Sequence, residues 1–265
     1  MESLQTATLF CFIPNDKSIN RVIISRPKCG SRFLSDCGAF TQMPFNINTL
    51  QQLKNVEKFY WVIREPQKHF FSALVTELHG KWKKEENPYN SSKKLKIKAN
   101  NEKFVYELLE QLLKDIVNDI PFSHYQPIYG DLLELIKVKY DIFYKVTFLE
   151  LNDLSNILKQ SFKTEYNYPK DTYSFKFNAD IDINTSNMLE ILNTPQFVSY
   201  WNDIKPIINN DTSAYFDICK FDFSKFLLEK IDELHDKLEI NEVKHNKHYL
   251  DIINKLHRAL KINEL

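Results

Sequence analysis

Arg21-Val22-Ile23-Ile24-Ser25-Arg26-Pro27-Lys28-Cys29-Gly30-Ser31-Arg32-Phe33-Leu34 is the stretch whose reading decides the fold. Residues 22–25, three of them β-branched, predict a strand, and Pro27 ends it because proline brings no backbone donor to a sheet ladder. Gly30 lets the chain turn where a side chain would clash, and an amphipathic helix is predicted from about Ser31. The first-turn N–H groups of Ser31, Arg32 and Phe33 then lack intrahelical acceptors and carry the positive end of the helix dipole. Lys28 stands at the mouth of this turn. Strand, Lys-x-Gly-Ser turn and helix together predict a site for a phosphate-like anion. The alternative is a plain strand–turn–helix corner with a surface lysine.

Composition narrows the choice. The chain has no G-x-x-x-x-G-K-[ST] run, so a nucleotide-triphosphate loop is not expected. Only 4 glycines occur in 265 residues, which makes Gly30 more informative than a glycine usually is. The length suits one α/β domain with insertions, and 20 Phe with 13 Tyr can fill a sizeable core. The formal net charge is +0, so no global field favours nucleic acid and any anion site must be local. Cys11, Cys29, Cys37 and Cys219 show neither paired metal spacing nor a secreted disulfide framework. Residues 1–18 have no basic region before their short apolar run, and no apolar run approaches the ~20 residues of a membrane span. A soluble, cytoplasmic protein is expected.

Outward from the turn, 8–13 and 21–25 predict two strands joined through the turn-rich residues 14–17. A short linker helix is expected at 50–57 and a buried parallel strand at 58–63 (KFYWVI). A helix follows, with Pro66 near its start and 67–78 continuing it. Residues 81–103 hold eight Lys and three Glu around NPYNSSKK and are expected to be an insertion or loop, either a basic rim for an anionic glycan or simply solvated. Apolar spacing predicts a helix over 104–117, a strand at 142–148 and a helix at 151–162. Turn residues dominate 165–184. Short helices broken at Pro195 and Pro206 are expected over 185–208. From Phe223 the chain reads as a pair of helices, so the organisation expected is an α/β domain over 1–222 and a helical extension over 223–265 packed on it. Dimerisation through that extension is the alternative, leaving monomer and homodimer both open.

A second constellation lies at the end of the 58–63 strand. Arg64 falls at its carboxyl end, where open α/β sheets place ligands, and Ser72 falls eight residues on, within the next helix. A guanidinium offers a fork of donors to a phosphate, and a hydroxyl completes the cradle. Taken singly, Arg64 could be a strand-end ion pair and Ser72 a small packing residue. Beside the anion turn, the pair reads as a second phosphate site for one ligand.

K-x-G-S after a strand, followed by a strand ending in R-E-P with Ser eight residues past the Arg, resembles the sulfotransferases that use 3′-phosphoadenosine-5′-phosphosulfate (PAPS). Within them the carbohydrate (chondroitin and dermatan) type is most similar. KFYWVIREPQKHFFSALVTE, PFSHYQPIYGDLLELIKVKYDIFYKVTFLELNDL and YFDICKFDFSKF fit that branch in order and spacing across roughly residues 8–228. The resemblance implies a P-loop-NTPase-like fold with a central, mainly parallel sheet flanked by helices. It implies PAPS as co-substrate without a metal, and a carbohydrate or other hydroxyl-bearing acceptor as partner. Lys28 would contact the 5′-phosphosulfate and neutralise the leaving oxygen. Gly30, Ser31, Arg32 and Phe33 would give backbone donors, and Arg64 and Ser72 would bind the 3′-phosphate. Arg32 replaces the hydroxyl residue usual in the family; it either adds a charge to the sulfate or points away.

The acceptor also needs a base. Only Asp36 and Glu57 are acids between Leu34 and Arg64, and no His lies there. His124 matches the family's His-aromatic position and is the candidate, against a histidine packed under a loop. His69 and His79 are expected at the surface. Cys29, in the anion turn, is open to a lowered pKa, but sulfonate transfer needs no thiol. His245-x-x-His248 has helical ligand spacing without an assured third ligand, so no metal is expected. The alternative to an enzyme is a PAPS-binding module without turnover, and a nucleotide kinase is a distant third.

Overall fold

The computed structural model describes residue 4 and residues 7–263, apart from 54, 87–101, 121, 123, 165–182 and 241–245. The chain opens with β1 (Phe10–Pro14), β2 (Arg21–Ser25), α1 (Ser31–Asp36), β3 (Phe40–Pro44), α2 (Ile47–Gln52) and β4 (Lys58–Ile63). Four helices follow: α3 (Pro66–Glu86), α4 (Glu102–Val117), α5 (Tyr129–Val138) and the short α6 (Tyr140–Phe143). Then come β5 (Val146–Glu150), α7 (Leu154–Phe162), α8 (Met188–Leu192), α9 (Val198–Cys219), α10 (Phe223–Ile240) and α11 (Asn246–Asn263).

One five-stranded sheet has the order β3-β1-β2-β4-β5. β1 pairs antiparallel with β2 and β3, while β2, β4 and β5 pair in parallel. The sheet is therefore mixed, with β1 alone running against the rest. β4 shows why KFYWVI is continuously apolar. Phe59, Trp61 and Ile63 face one layer with Leu132, Ile136 and Tyr215, whereas Tyr60 and Val62 face another with Leu34, Leu154 and Leu158. Both faces are covered, and burying each such large side chain contributes roughly 1.5–3 kcal/mol.

The connections place a crevice. β2 leads through α1 to β3, beyond β1 on one side. β4 leads through α3–α6 to β5 on the other. Adjacent parallel strands whose connections depart in opposite directions leave a cleft at their carboxyl ends. That cleft lies at Ser25–Gly30 and Arg64.

Several elements differ from the sequence reading. β3 was not expected, because FTQMP leaves all but Phe40 exposed and carries no alternating pattern. The linker helix lies at Ile47–Gln52, opened by a capping box between Asn46 and Thr49. Residues 81–86 extend α3 and 102–103 begin α4, so the ends of the lysine-rich stretch are helical. Lys81 there bonds Asp115 at 2.9 Å and ties α3 to α4. The remainder of that stretch lies outside the described residues, as does most of 165–184. The strand expected at 142–148 starts at Val146, after α6. Pro206 sits inside the 22-residue α9 instead of breaking it. An interior proline costs about 3 kcal/mol, but Pro206 is on the exposed side while Trp201, Ile204, Ile208, Asp211, Tyr215 and Ile218 bury a continuous stripe.

α10 and α11 pack on each other through Leu227, Ile231 and Leu234 against Ile253, Leu256 and Ala259, with Tyr140 and Tyr144 beneath them. Among the described residues, no helix is long and apolar enough to cross a membrane.

Candidate functional site

The turn after β2 is built as its sequence demands. Gly30 caps α1 with φ 86°, and Lys28 also takes a left-handed φ of 65°. For a side-chain-bearing residue this conformation costs about 1–3 kcal/mol and persists only where its surroundings impose it. Those surroundings grip the carbonyls. Pro27 C=O faces His69 Nε2 at 2.9 Å, Lys28 C=O accepts from Arg64 Nη1 at 2.7 Å, and Cys29 C=O accepts from Ser25 Oγ at 2.7 Å. Lys28 and Arg64, predicted as two halves of one site, are thus in direct contact.

Lys28, Arg64, Arg26 and Arg32 gather positive charge around the turn. Burial pushes the Lys28 amine below the ordinary lysine range, and the Arg64 and Arg32 guanidinium groups push it further the same way. Among the described residues, no carboxylate pairs with Lys28, Arg64 or Arg26. Arg26 is 3% exposed, with Nη2 donating to Gln126 C=O at 2.6 Å and Nη1 buried without a hydrogen-bond partner. Arg32 is exposed at the rim, 3.7 Å from Asp36. It therefore adds charge near Lys28 while its side chain keeps to solvent.

The other predicted residues fall into place around this cluster. Gly30 and Ser31 are buried in the turn, and Phe33 packs against the layer that holds Leu34. Ser72 is half-buried on α3. His69, Ser72, Thr76 and Glu77 recur at i, i+3, i+7 and i+8, a polar stripe on a helix whose other neighbours are Phe70, Phe71, Leu74 and Leu78. His124 Nδ1 hydrogen-bonds Glu77 Oε1, which joins the 124–128 segment to that stripe. With Nδ1–H committed to the carboxylate, the proton-accepting lone pair belongs to Nε2.

Corrections follow. His69 is fully buried, not a surface residue; burial first, then the Arg26 and Arg64 charges, hold it well below the imidazole range, so it is neutral. Burial raises the Cys29 thiol, so the turn does not activate it. Glu57 precedes β4, at the end of that strand opposite to Arg64, and is no neighbour of the cleft. His245 and the His248 side chain lie outside the described residues. Among the described residues, no group of three or more His, Cys, Asp or Glu could hold a metal.

Sequence reading missed three supporting residues. Tyr129 Oη accepts from Arg64 N–H at 2.9 Å and donates to Arg64 C=O at 2.8 Å, clamping the β4–α3 junction. Asp211 accepts from Ile128 N–H at 3.0 Å, Tyr129 N–H at 2.7 Å and Tyr125 O–H at 3.2 Å, so it caps α5 from α9. Burial raises its carboxyl above the usual range against the pull of these donors and of Arg26. The third is Glu77, whose signal was the polar stripe. Asp211→Ala would strand three buried donors. A loss of about 3 kcal/mol is expected, lowering the melting temperature by about 10 °C. Thermal unfolding followed by circular dichroism checks this; an unchanged midpoint would remove Asp211 from the framework.

One strand further, a 430 Å³ cavity runs along the whole of β5 and reaches the carboxyl end of β4 at Ile63. Ile63, Phe148, Glu150, Asp153, Phe221 and Ser224 are among its walls, so it begins one residue from Arg64.

Comparison of the chain with protein-family models, with curated proteins and with solved structures finds no match.

Proposed function

We propose that this protein moves a sulfonate group from PAPS to an acceptor hydroxyl on a carbohydrate, using a sheet of the P-loop nucleotide-binding type. The observation that carries the reading is Lys28 against Arg64. Two cations are held together, partly desolvated and without a carboxylate partner among the described residues, at the crevice of an α/β sheet. Holding like charges this way is unfavourable unless an anion completes the site. A ligand with phosphates at both ends of one ribose fits two cationic groups on adjacent strands. The cavity beyond Ile63 would take its nucleoside, with aromatic walls for the base and carboxylates for its exocyclic amine. The lysine-before-glycine order of the turn, and the resemblance of residues 58–77 to the carbohydrate branch, favour phosphosulfate over triphosphate.

In the proposed reaction the acceptor oxygen attacks sulfur in line with the bond to the bridging phosphate oxygen. A new S–O bond forms as that bond breaks, and its electron pair stays on the bridging oxygen of the departing 3′,5′-adenosine bisphosphate. Lys28 neutralises this oxygen, the acceptor proton passes to His124 Nε2, and Glu77 stabilises the imidazolium. A binding module without turnover would have no use for the His124–Glu77 pair.

Arg64→Ala tests the nucleotide assignment. A charge-assisted phosphate contact is worth about 1.5–3 kcal/mol, so 3′,5′-adenosine bisphosphate should bind roughly ten- to hundredfold more weakly. Adenosine-5′-monophosphate should lose less, since it forfeits only the hold of Arg64 on the Lys28 carbonyl. Equal losses for both nucleotides by calorimetry would refute the assignment.

A further inference from the structure

His69 cannot touch a ligand, since it is fully buried, yet its ring reaches from α3 to the turn that carries Lys28. Pro27 O can only accept, so the proton of the neutral ring is on Nε2 and is donated there across 2.9 Å. The ring also stands edge-on to Tyr125, with centroids 5.2 Å apart, and Arg26 donates to Gln126 C=O in the same layer. One imidazole therefore braces the turn from behind and rests on the segment that begins at His124. Because peptide units are planar, fixing the carbonyls of Pro27, Lys28 and Cys29 fixes three successive peptide planes, and with them the direction of the Lys28 Cα–Cβ bond. Ser25 holds only the last of these carbonyls, and Arg64 must also serve the ligand. Among the described residues, His69 is the side chain that holds the first.

We propose that His69 is a positioning residue: its Nε2–H bond to Pro27 keeps Lys28 in the left-handed conformation that aims its amine into the cleft. The bond itself stands on the geometry; its importance for the 5′-phosphosulfate end of the ligand rests on the sulfonate-transfer reading.

The test uses the full chain with His69→Leu, which keeps bulk and removes the donor, and His69→Gln, whose amide N–H reaches the position of Nε2. Amide hydrogen exchange over residues 27–33 reads the turn directly. Calorimetry with 3′,5′-adenosine bisphosphate and with adenosine-3′-monophosphate separates the two ends of the ligand. His69→Leu is expected to speed exchange in the turn and to weaken the bisphosphate by roughly three- to tenfold, no more than Lys28→Ala does. The 3′-monophosphate should bind as before, and His69→Gln should restore most of both signals. If the leucine variant does not fold, His69→Asn, whose amide stops short of Pro27, takes its place against glutamine. Wild-type exchange and affinity in the donor-lacking variant would overturn the inference. So would equal weakening of both nucleotides, or a glutamine variant no better than leucine. Failure of the wild type to bind either nucleotide, with the exchange contrast intact, would overturn the PAPS reading and leave the brace standing.

Discussion

Lys28→Ala is expected to lower kcat for sulfonate transfer by about 10²–10³, the range seen when one donor to a developing oxyanion is removed. The fold should survive, because the contacts that set the turn use the backbone carbonyls of Pro27, Lys28 and Cys29, not the lysine side chain. Affinity for 3′,5′-adenosine bisphosphate should fall much less than kcat, since Arg64 keeps its place on the Lys28 carbonyl. Lys28→Arg should rescue only in part, because a guanidinium is bulkier and spreads its charge. The pH dependence has a definite sign. Burial, Arg64 and Arg32 all lower the Lys28 pKa, so the ammonium is lost at lower pH than in an ordinary lysine. If the charged form is required, kcat/KM for PAPS falls on the alkaline side as pH passes through that lowered value. Arg32→Gln removes one repelling charge, so its alkaline limb should move to higher pH. A limb that stays in place would separate Lys28 from the titrating group.

His124→Ala should lower the rate by about 10²–10⁴, the usual contribution of a positioned general base. The loss should appear in kcat and on the acceptor side, with the KM for PAPS unchanged. Glu77→Gln keeps the shape of the partner but removes the charge that stabilises the imidazolium. It should therefore fall between wild type and His124→Ala, and the double variant should be no worse than His124→Ala alone. Steady-state kinetics against each substrate in turn gives these numbers. Full activity in His124→Ala would remove the base assignment while leaving the nucleotide site intact. Glu57 could not inherit the role, because it lies at the opposite end of β4 from Arg64.

What was legible in the sequence follows from local chemistry. Pro27, Gly30 and the short β-branched run of β2 fix the turn by their own backbone preferences, and Arg64 is placed by the buried strand before it. KFYWVI announced a strand covered on both faces because no polar residue interrupts it. The edge strand β3 was not legible: four of its five residues are exposed, and its pairing with β1 depends on chain 26 or more residues away. Pro206 misled because a local helix penalty is outweighed by the buried stripe of α9, which only the assembled layers reveal. His69 and Glu77 share a cause for being overlooked. Each is an ordinary polar helix residue until its partner arrives from a distant segment, Pro27 in one case and His124 in the other. Their spacing with Ser72 and Thr76 was the available signal. Arg26 gave none, since an arginine before a proline has no fixed meaning and its acceptor, Gln126 C=O, lies 100 residues on.

The most direct measurement is mass spectrometry of the purified protein incubated with PAPS and a panel of unsulfated glycans. Sulfonate transfer predicts a glycan heavier by one sulfonate, appearing together with an equal amount of 3′,5′-adenosine bisphosphate, and both lost in Lys28→Ala. Tight binding of the bisphosphate with every glycan unchanged would contradict an enzyme of this class and leave a nucleotide-binding module in its place.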